Sequence, residues 1–395
     1  MERARIMNTE QMKAVETRRE SGVFPKRPVS IVRGDGVRLW DAEGKQYLDF
    51  GANYGVGNVG HCHPRVVRAI QEQAAKLIFI PQTYYNEQRA MLQERLVATA
   101  PQGIERVFLT NSGTEAVEAA IKFARGTTKR PGLIATKRAF HGRTMGAVTL
   151  THKPEYRDPF APLLPGASHV EFGSEEALKI AVTRETAAVF LEPIQGEGGV
   201  QVPPDGYLKA AHDIAHDAGA LLVLDEIQTG FGRTGKFWAA QHENVTPDIL
   251  CFAKSVGGGM PMGGVLLTGN AARLPPASHG NTFGGAPLAC AAALATLDII
   301  RDERLAQRAA ELGPRLISGL AQASAEKARD ARGRGLMVAL ELRGRNQEVW
   351  KALAAEGVLT LPTGPTTLRY LPPLVVTEDQ IDIAVAATAK AVQAG

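Results

Sequence analysis

A lysine at position 254 directly follows an uninterrupted apolar run at residues 249–253. A run of this kind is typical of a strand that is buried on both faces. An ammonium group at its end is costly unless it reaches solvent, meets a partner or loses its charge in a covalent bond. Condensation of the amine with a carbonyl compound removes that charge, and the glycines at 257–259 leave room for a bulky group. Considered alone, Lys254 is explained more simply as a side chain that reaches solvent, so its chemistry depends on its neighbours.

Acidic residues follow two other apolar runs, at the point where each run ends. Asp225 comes directly after residues 221–224, and Glu192 comes after residues 188–191. Ligands of an open parallel sheet bind outside the carboxyl ends of its strands, so we expect Asp225 and Lys254 to face one site. A carboxylate that keeps a pyridine nitrogen protonated lets the ring accept electrons when a C–H bond breaks. Together the two residues favour pyridoxal 5'-phosphate as the cofactor.

A phosphate group needs a third element, and the segment after residues 107–110 provides one. Ser112 and Glu115 form a capping-box pattern ahead of a predicted helix at residues 116–125. Free backbone N–H groups at such a helix start bind anions, although many capping boxes open helices that bind nothing. Because this helix start follows a strand of the same predicted sheet, we expect it to hold the phosphate.

The spacing of the apolar runs indicates the fold class. From residue 65 to residue 285 such runs alternate with helical stretches, which predicts a large α/β domain with a mostly parallel sheet that binds the cofactor. Residues 1–64 are expected to form an N-terminal arm and a small β-meander that belongs to a second, smaller domain. Residues 286–395 are expected to form the C-terminal part of that smaller domain, with a long Ala/Leu-rich helix, shorter strands and a terminal helix.

Composition narrows the class of protein. A chain of 395 residues that is 44% hydrophobic can bury a full core and is longer than one compact unit usually is. The net charge of +4 is not concentrated in an aromatic-basic cluster, which argues against nucleic-acid binding. No apolar run approaches the roughly 20 residues that span a bilayer, and the polar N-terminus does not resemble a signal peptide. The three cysteines are widely spaced and indicate neither disulfides nor zinc. We therefore expect a cytoplasmic protein without a membrane partner.

Several segments along the chain resemble the class III, or ω-, aminotransferases. They lie at residues 111–116, 139–144, 191–199, 224–230 and 253–254, in the order of the family. The resemblance covers nearly the whole chain. It implies the type I fold of pyridoxal-phosphate-dependent transferases, which is the aspartate aminotransferase fold, with a mostly parallel sheet in the large domain and a smaller α+β domain. It also implies an enzyme that moves an amino group.

The resemblance assigns cofactor contacts to residues of these segments. Lys254 is expected to carry the cofactor and to act as the general base, and Asp225 to face the ring nitrogen. Thr282, in the segment at 279–285, is expected to reach the phosphate of the other subunit, so the resemblance implies a homodimer with shared active sites. Gly113 and Thr114 are expected to bind the phosphate. Phe140 is expected to stack on the face of the ring, and Gln228 to bond the ring hydroxyl.

Substrate residues are implied in the same way. Glutamate carries two carboxylates, whereas an ω-amino substrate brings a bare methylene to the reacting carbon, so a fixed cation there helps one and harms the other. The family solves this with a switchable pair, and the matching residues are Glu197 and Arg369. Arg143 is expected to hold the distal carboxylate with its planar guanidinium, and Tyr54 to contribute to the substrate site. Without the surrounding motifs, both arginines are better explained as solvated surface side chains.

Weaker signals place the chain within the family. The segments at 21–23, 54–58 and 361–365 look most like the acetylornithine branch. Within that branch they are most similar to the lysine-pathway members, which act on aminoadipate semialdehyde linked to the carrier protein LysW. Such a carrier has an acidic tail, with which the positive net charge is compatible. We expect transfer from glutamate, giving 2-oxoglutarate, to the carrier-linked aldehyde. Acetylornithine transamination is the alternative, and one enzyme can serve both pathways.

Other features fit different classes of protein. Residues 55–60 match the dinucleotide-binding pattern G-x-G-x-x-G of dehydrogenases, but no clear strand–helix crossover surrounds them and no acidic residue follows about 20 residues later. His61, Cys62 and His63 suggest a metal site, but no second pair of ligands follows, and a turn before a helix with Pro64 in its first turn explains them. A non-catalytic cofactor-binding protein and an aminomutase or racemase are further alternatives.

Overall fold

A computed structural model of the chain describes residues 7–394. Residues 1–6 and 395, which belong to the predicted first and last parts of the chain, lie outside the described residues. The N-terminal part consists of an exposed helix, three short antiparallel strands and two further helices. These elements are α1 (Thr9–Arg19), β1 (Ile31–Asp35), β2 (Arg38–Asp41), β3 (Gln46–Asp49), α2 (Ala52–Gly55) and α3 (Pro64–Ala74).

The central part of the chain forms a seven-stranded sheet covered by helices. Its helices are α4 (Glu87–Thr99), α5 (Gly113–Thr128), α6 (Met145–Leu150), α7 (Pro154–Arg157), α8 (Glu175–Ala181) and α9 (Tyr207–Asp217). Its strands are β4 (Ile104–Thr110), β5 (Gly132–Thr136), β6 (Ala167–Val170), β7 (Thr186–Leu191), β8 (Leu221–Asp225), β9 (Ile249–Phe252) and β10 (Gly263–Thr268). The strand order is β4-β10-β9-β8-β7-β5-β6. Only β10 pairs antiparallel with its neighbours, so the predicted, mostly parallel sheet is confirmed.

The apolar runs that predicted strands of this sheet lie in β4, β5, β7, β8 and β9. Every residue of β7 is buried, because side chains of α5 and α6 pack on one face of the sheet and those of α8 and α9 on the other. This two-sided burial explains why these strands are continuous apolar runs instead of alternating apolar and polar residues. Because β8 and β9 pair in parallel, their carboxyl ends lie at the same edge of the sheet, and Asp225 and Lys254 lie there with them.

Strand β10 was not predicted, because it begins with two glycines that look like a turn in the sequence. A side chain at Gly263 would lie 2.6 Å from the carbonyl oxygen of Ser112, and one at Gly264 would lie 2.6 Å from that of Phe108. Neighbouring backbone thus approaches too closely for any other residue. These glycines mark close packing within the sheet and do not end the strand.

The C-terminal part contains two long helices, a four-stranded antiparallel sheet and two further helices. Its elements are α10 (Pro287–Asp302), α11 (Leu305–Ala323), β11 (Ala328–Arg334), β12 (Met337–Leu342), α12 (Gln347–Ala355), β13 (Val358–Leu359), β14 (Leu361–Thr363), β15 (Thr367–Tyr370) and α13 (Glu378–Ala394). The predicted long Ala/Leu-rich helix is present as α10, but it ends before Arg304, whose φ of 51° is left-handed, and the second long helix α11 was not predicted.

The N-terminal and C-terminal parts of the chain share a sheet. Strand β13 pairs in parallel with β3, so the sheet order is β1-β2-β3-β13, while β11, β12, β15 and β14 form the other small sheet. This pairing is compatible with the expectation that residues 1–64 and 286–395 belong to one smaller domain, and the division itself stays a prediction. Among residues 7–394, no helix is both long and apolar enough to cross a membrane.

Candidate active site

A cavity of about 430 Å³ lies at the carboxyl ends of β7, β8 and β9, where the sequence predicted a site. Most of the predicted residues line it, and we call it the inner cavity. They are Gly113, Thr114, Phe140, Arg143, Glu197, Asp225, Gln228 and Lys254. Residues from separate strands and loops thus converge on one space large enough for a small cofactor and substrate.

Lys254 occupies a strained and largely desolvated position, separated from the end of β9 by one residue. Its φ of 43° is left-handed, which non-glycine residues adopt rarely and which is common at functional sites. Burial lowers the pKa of Lys254, against the opposing charges of Glu197, Asp225 and Glu192. A lowered pKa increases the fraction of neutral amine at a given pH, and only the neutral amine can attack a carbonyl carbon or accept a proton.

Asp225 is buried and held by two donors. Its Oδ2 lies 2.7 Å from Nδ1 of His141, and its Oδ1 accepts a hydrogen bond of 3.1 Å from the Ile227 backbone N–H. Burial alone would lower the pKa of His141, but the hydrogen bond to Asp225 and the charges of Asp225 and Glu192 outweigh it, so that the pKa is raised. His141 and the Ile227 N–H thereby hold the Asp225 carboxylate in place at the wall of the cavity.

Glu192, at the end of β7, joins two loops of the site. One carboxylate oxygen accepts from the Phe140 N–H at 3.0 Å, and the other accepts from the Gly196 N–H at 2.9 Å. Burial, reinforced by Asp225 and opposed by His141, raises the pKa of Glu192 to about 7. From the sequence, Glu192 was identified only as a residue at a strand end, and no role was predicted for His141. Both were missed because their partners lie in other elements.

The helix predicted to hold the phosphate begins at Gly113, and its capping differs from the prediction in one respect. The Ser112 hydroxyl accepts from the Glu115 N–H at 3.3 Å, as a capping box requires. In the predicted capping box the Glu115 carboxylate would accept from the Ser112 N–H. It accepts instead from the backbone N–H of Asn111 at 2.6 Å, one residue earlier, so this part of the prediction is wrong. The first backbone N–H groups of α5 have no partner within the helix, as at every helix start, and are available to an anion.

Gly113 and Thr114 are fixed at this helix start by their neighbours. A Cβ on residue 113 would lie 2.9 Å from Cδ1 of Ile227, so only glycine fits without displacing that side chain. The Thr114 hydroxyl lies 2.7 Å from the Thr144 hydroxyl and accepts from the Arg143 and Thr144 N–H groups at 3.3 and 3.2 Å. The loop that carries Phe140 and Arg143 is thereby tied to the start of α5.

Gln228 presents an unsatisfied acceptor. Its Oε1 is buried and has no hydrogen-bond partner among the described residues, while its Nε2 donates a long bond of 3.4 Å to the carbonyl of Tyr54. A buried amide oxygen without a donor is unfavourable by roughly 1–3 kcal/mol, so the site has a place for a ligand hydroxyl. The Tyr54 side chain is 54% exposed and does not line the inner cavity, although its backbone lies beside Gln228.

Arg369 and Glu197 form the predicted pair. Nη1 of Arg369 lies 2.7 Å from Oε1 of Glu197, and the arginine side chain is fully buried on β15. The contact is close but not aligned as a hydrogen bond, and Nε of Arg369 also has no partner among the described residues. Burial alone would raise the pKa of Glu197, but Arg369, Lys254 and Arg143 outweigh it, so the pKa is lowered. An ionised carboxylate therefore covers an arginine with unused donors.

Of the predicted residues, Arg143 lies at the wall of the inner cavity and Thr282 lies outside it. Arg143 is exposed at the cavity wall, with its guanidinium carbon 3.5 Å from the centre of the Tyr156 ring, so the flat group is held by stacking. Thr282 is exposed and does not line the inner cavity of its own chain. Its predicted contact with a second subunit stays a prediction.

The segments that suggested other classes of protein have structural explanations. Residues 55–60 end the short helix α2 and form a turn, with no strand leading into a crossover helix. His63 caps α3, since its Nδ1 accepts from the Arg65 N–H, and His61 bonds Asp49 at 2.8 Å. Within residues 7–394 no group of three or more potential metal ligands occurs.

Comparison with known proteins identifies the family. The family described as "Aminotransferase class-III" matches residues 22–392, and the chain belongs to this family. It is 44% identical over 384 residues to the [LysW]-aminoadipate semialdehyde transaminase of Deinococcus radiodurans, covering 96% of this chain and 90% of the relative. It is also 44% identical over 363 residues to the acetylornithine aminotransferase of Methanosarcina acetivorans, covering 92% of this chain and 91% of the relative.

Solved structures agree with this assignment. The ornithine aminotransferase of Toxoplasma gondii, described with partial occupancy of PLP at its active site, has a TM-score of 0.95 and 35% identity over 99% of this chain and 95% of its own. The acetylornithine aminotransferase of Elizabethkingia anophelis has a TM-score of 0.88 and 33% identity over 99% of this chain and all of its own. The chain is therefore a pyridoxal-phosphate-dependent aminotransferase of fold type I, and the dehydrogenase interpretation is wrong.

The residues present fit this cofactor. The inner cavity combines an amine of lowered pKa, a buried carboxylate, a helix start where residue 113 has space only for glycine, and an amide acceptor without a donor. These are the groups needed by an aldehyde, a ring nitrogen, a phosphate and a ring hydroxyl.

Proposed function

We propose that the enzyme transfers the amino group of glutamate to the terminal aldehyde of LysW-linked aminoadipate semialdehyde, giving LysW-linked lysine and 2-oxoglutarate. The observation that carries this proposal is the Glu197–Arg369 pair beside Lys254, since a covered arginine suits an enzyme that alternates between glutamate and an ω-amino substrate. The similarity to the Deinococcus radiodurans enzyme supports the choice of acceptor. Acetylornithine transamination is the second candidate, supported by the equal identity to the Methanosarcina acetivorans enzyme.

In this proposal the inner cavity holds the cofactor through six residues. Lys254 binds its aldehyde, Asp225 faces its ring nitrogen, and the others hold the ring and phosphate. The others are Phe140 on the ring face, Gln228 at the ring hydroxyl, and Gly113 and Thr114 at the phosphate. When bound, pyridoxal phosphate supplies an aldehyde that exchanges amines and a ring that accepts the electrons of a breaking C–H bond. Lys254, once displaced by substrate, moves the proton at the reacting carbon.

Glu197 acts as a movable cover in this scheme. With an ω-amino substrate it stays on Arg369 and neutralises it beside the uncharged methylene. With glutamate it swings away, and Arg369 binds the α-carboxylate through its free Nε and Nη1 donors. Arg143, held flat against Tyr156, receives the distal carboxylate, and Tyr54 stands at the entrance to the substrate site.

We also propose a homodimer in which Thr282 completes the partner's phosphate site. The segment that carries Thr282 and the segment beside it expose apolar side chains, Phe283 at 61% and Ile78 at 59% exposure, and the Leu288 N–H joins them by donating to the Ile78 carbonyl at 3.3 Å. The segments that carry them are fixed to each other, because buried Arg89 donates to the carbonyl groups of Ile80, Tyr84 and Gly285. A fixed apolar patch of this kind suits a second copy of the chain.

A mixing experiment tests the homodimer. Two inactive variants, Lys254→Ala and one with Thr282 replaced by a bulky residue, are combined after partial unfolding. In a shared-site dimer, mixed dimers regain one intact site and recover part of the activity. A monomeric mass by light scattering, or no recovery in dimers shown to be mixed, would contradict the proposal.

A comparison of two amino donors tests the substrate. Carrier-linked lysine and acetylornithine are each assayed with 2-oxoglutarate, and kcat/KM is compared at one ionic strength, with the Lys254→Ala variant as the blank. We expect the carrier-linked donor to be preferred. A preference of more than about tenfold for acetylornithine, equivalent to about 1.4 kcal/mol of transition-state binding, would assign the enzyme to the second candidate function.

A further inference from the structure

A second cavity, of about 590 Å³, adjoins the inner cavity, and we call it the outer cavity. Phe140 and Glu197 line both cavities. The rest of the outer wall comes from Arg138 and Ala139 after β5, from residues 151–156, from the turn at 362–367, and from Gly198, Gly199, Gln201, Arg332 and Glu341. A substrate whose reacting end lies beside Lys254 can therefore pass between Phe140 and Glu197 and place its far end in the outer cavity.

Most charged side chains of the outer cavity are paired within the protein. Nη1 of Arg332 lies 2.7 Å from the carboxylate of Glu341, and its Nη2 donates to a backbone carbonyl. Lys153 lies 3.8 Å from Glu155, and Glu197 covers an arginine behind it. In contrast, Arg138 is exposed and has no carboxylate within ion-pair distance among residues 7–394. The outer cavity thus presents one uncompensated guanidinium.

The backbone at Arg138 is unfavourable for arginine. Its φ of 65° is left-handed, in a turn closed by the Ala139 N–H and the Thr136 carbonyl at 3.2 Å. Glycine or asparagine adopts this conformation more easily. A second hydrogen bond holds the turn, since Nε2 of Gln195 donates to the Lys137 carbonyl at 2.8 Å. A residue kept in such a conformation suggests a function for its side chain.

A histidine of the outer cavity lies near several cations. His152 lines the outer cavity and is partly buried. Burial lowers the pKa of His152, and Arg157, Lys137 and Arg138 lower it further. Only Glu171 acts in the opposite direction. Three cations thus act together on the part of the outer cavity that lies beside His152, and Arg138 is the one of them that lines this cavity.

We propose that the outer cavity is an anion subsite in which Arg138 binds a carboxylate carried by the group on the substrate's α-nitrogen. The proposal rests on the proposed function, with the carrier attached through the substrate's α-nitrogen. In the ω-amino half-reaction the distal carboxylate that Arg143 receives is then the α-carboxylate. It defines the substrate class as ω-amino acids whose α-nitrogen carries an acidic acyl or peptide group. A planar guanidinium binds such a carboxylate through two parallel hydrogen bonds.

Two lysine derivatives of nearly equal size test the subsite. Nα-succinyllysine ends in a carboxylate and Nα-butyryllysine ends in a methyl group, and each serves as amino donor to 2-oxoglutarate. Arg138→Gln is compared with Arg138→Lys, which keeps the charge, and with Lys137→Gln. Lys137 is the matched control, because it is the adjacent cation, pairs with Glu171 and does not line the outer cavity.

The expected result is selective. Arg138→Gln lowers kcat/KM for the succinyl donor about tenfold, mainly through KM, and changes that for the butyryl donor less than twofold. Arg138→Lys recovers part of the loss, and Lys137→Gln has little effect. Equal losses for both donors, no loss for the succinyl donor, or an equal loss in Lys137→Gln would overturn the subsite alone. If the wild-type enzyme uses neither derivative but reacts with carrier-linked lysine, the subsite is overturned and the proposed function stands. If it reacts with glutamate but with none of these three donors, the proposed function fails and the subsite fails with it.

Discussion

Replacing Glu197 with glutamine removes the carboxylate that lies 2.7 Å from Nη1 of Arg369 and keeps the size of the side chain. Arg369 is then a buried and uncovered cation beside the reacting carbon. An ω-amino substrate brings an uncharged methylene to this position, so its half-reaction should slow. Glutamate brings a carboxylate that needs Arg369 uncovered, so its half-reaction should be maintained or accelerated.

The magnitude follows from the geometry of the pair. Two unit charges about 4 Å apart interact by about 4 kcal/mol at an effective dielectric constant of about 20. Because 30% of the Glu197 side chain is exposed, solvent screens part of this interaction, and we take about half of it, about 2 kcal/mol. This free energy corresponds to a rate difference of about 30-fold between the two half-reactions.

Stopped-flow absorbance of the cofactor measures each half-reaction separately, with one substrate at a time. Asp298→Asn is the matched control, since Asp298 pairs with Arg95, its side chain is 29% exposed, and it does not line the inner cavity. The control should leave both half-reactions unchanged. Equal slowing of the two half-reactions in Glu197→Gln, or an unchanged ω-amino half-reaction, would refute the idea that Glu197 covers Arg369.

Three further predictions concern other parts of the site. Asp225→Asn should keep the cofactor bound but slow transamination roughly a hundredfold, because the ring nitrogen loses its carboxylate partner; normal turnover in this variant would contradict that role. Gly113→Ala should raise the Kd for pyridoxal phosphate about tenfold, because its Cβ would lie 2.9 Å from an isoleucine side chain, whereas Gly344→Ala, with no atom within 4 Å, should not. Glu192 has a pKa raised to about 7 by burial, so its contribution to stability is present below about pH 4.5 and is lost as the pH rises through 7. The melting temperature of Glu192→Gln relative to wild type should therefore rise between pH 5 and pH 8, and a constant difference would count against a buried, titrating carboxyl.

The two residues at the centre of the site were predictable from the sequence because they follow continuous apolar runs. Burial of β8 and β9 on both faces makes these runs visible, and the geometry of a parallel sheet brings their ends together. Lys254 and Asp225 could thus be placed at one site without knowledge of any contact. The helix start at Gly113 was predictable for a similar reason, since α5 begins soon after β4 ends at Thr110, and its role in holding the phosphate stays a prediction.

Contacts between distant segments could not be predicted in this way. The bond between His141 and Asp225 joins a loop to a strand end far along the chain, and no local pattern marks it. Glu192 binds backbone N–H groups of two loops, which any sequence could supply. The Glu197–Arg369 pair was expected only through the family resemblance, because Arg369 lies on β15 of another sheet. Strand β10 escaped prediction because close packing required glycines where a strand usually has side chains.

Borohydride reduction of the purified enzyme tests the central claim most directly. Reduction fixes an imine between the cofactor and the lysine that carries it, and mass spectrometry of the digested protein locates the modified residue. We predict a coloured protein that bleaches on reduction and one modified peptide, containing Lys254, with no such peptide from Lys254→Ala. A colourless protein that takes up no pyridoxal phosphate, or a label on a different lysine, would contradict the account.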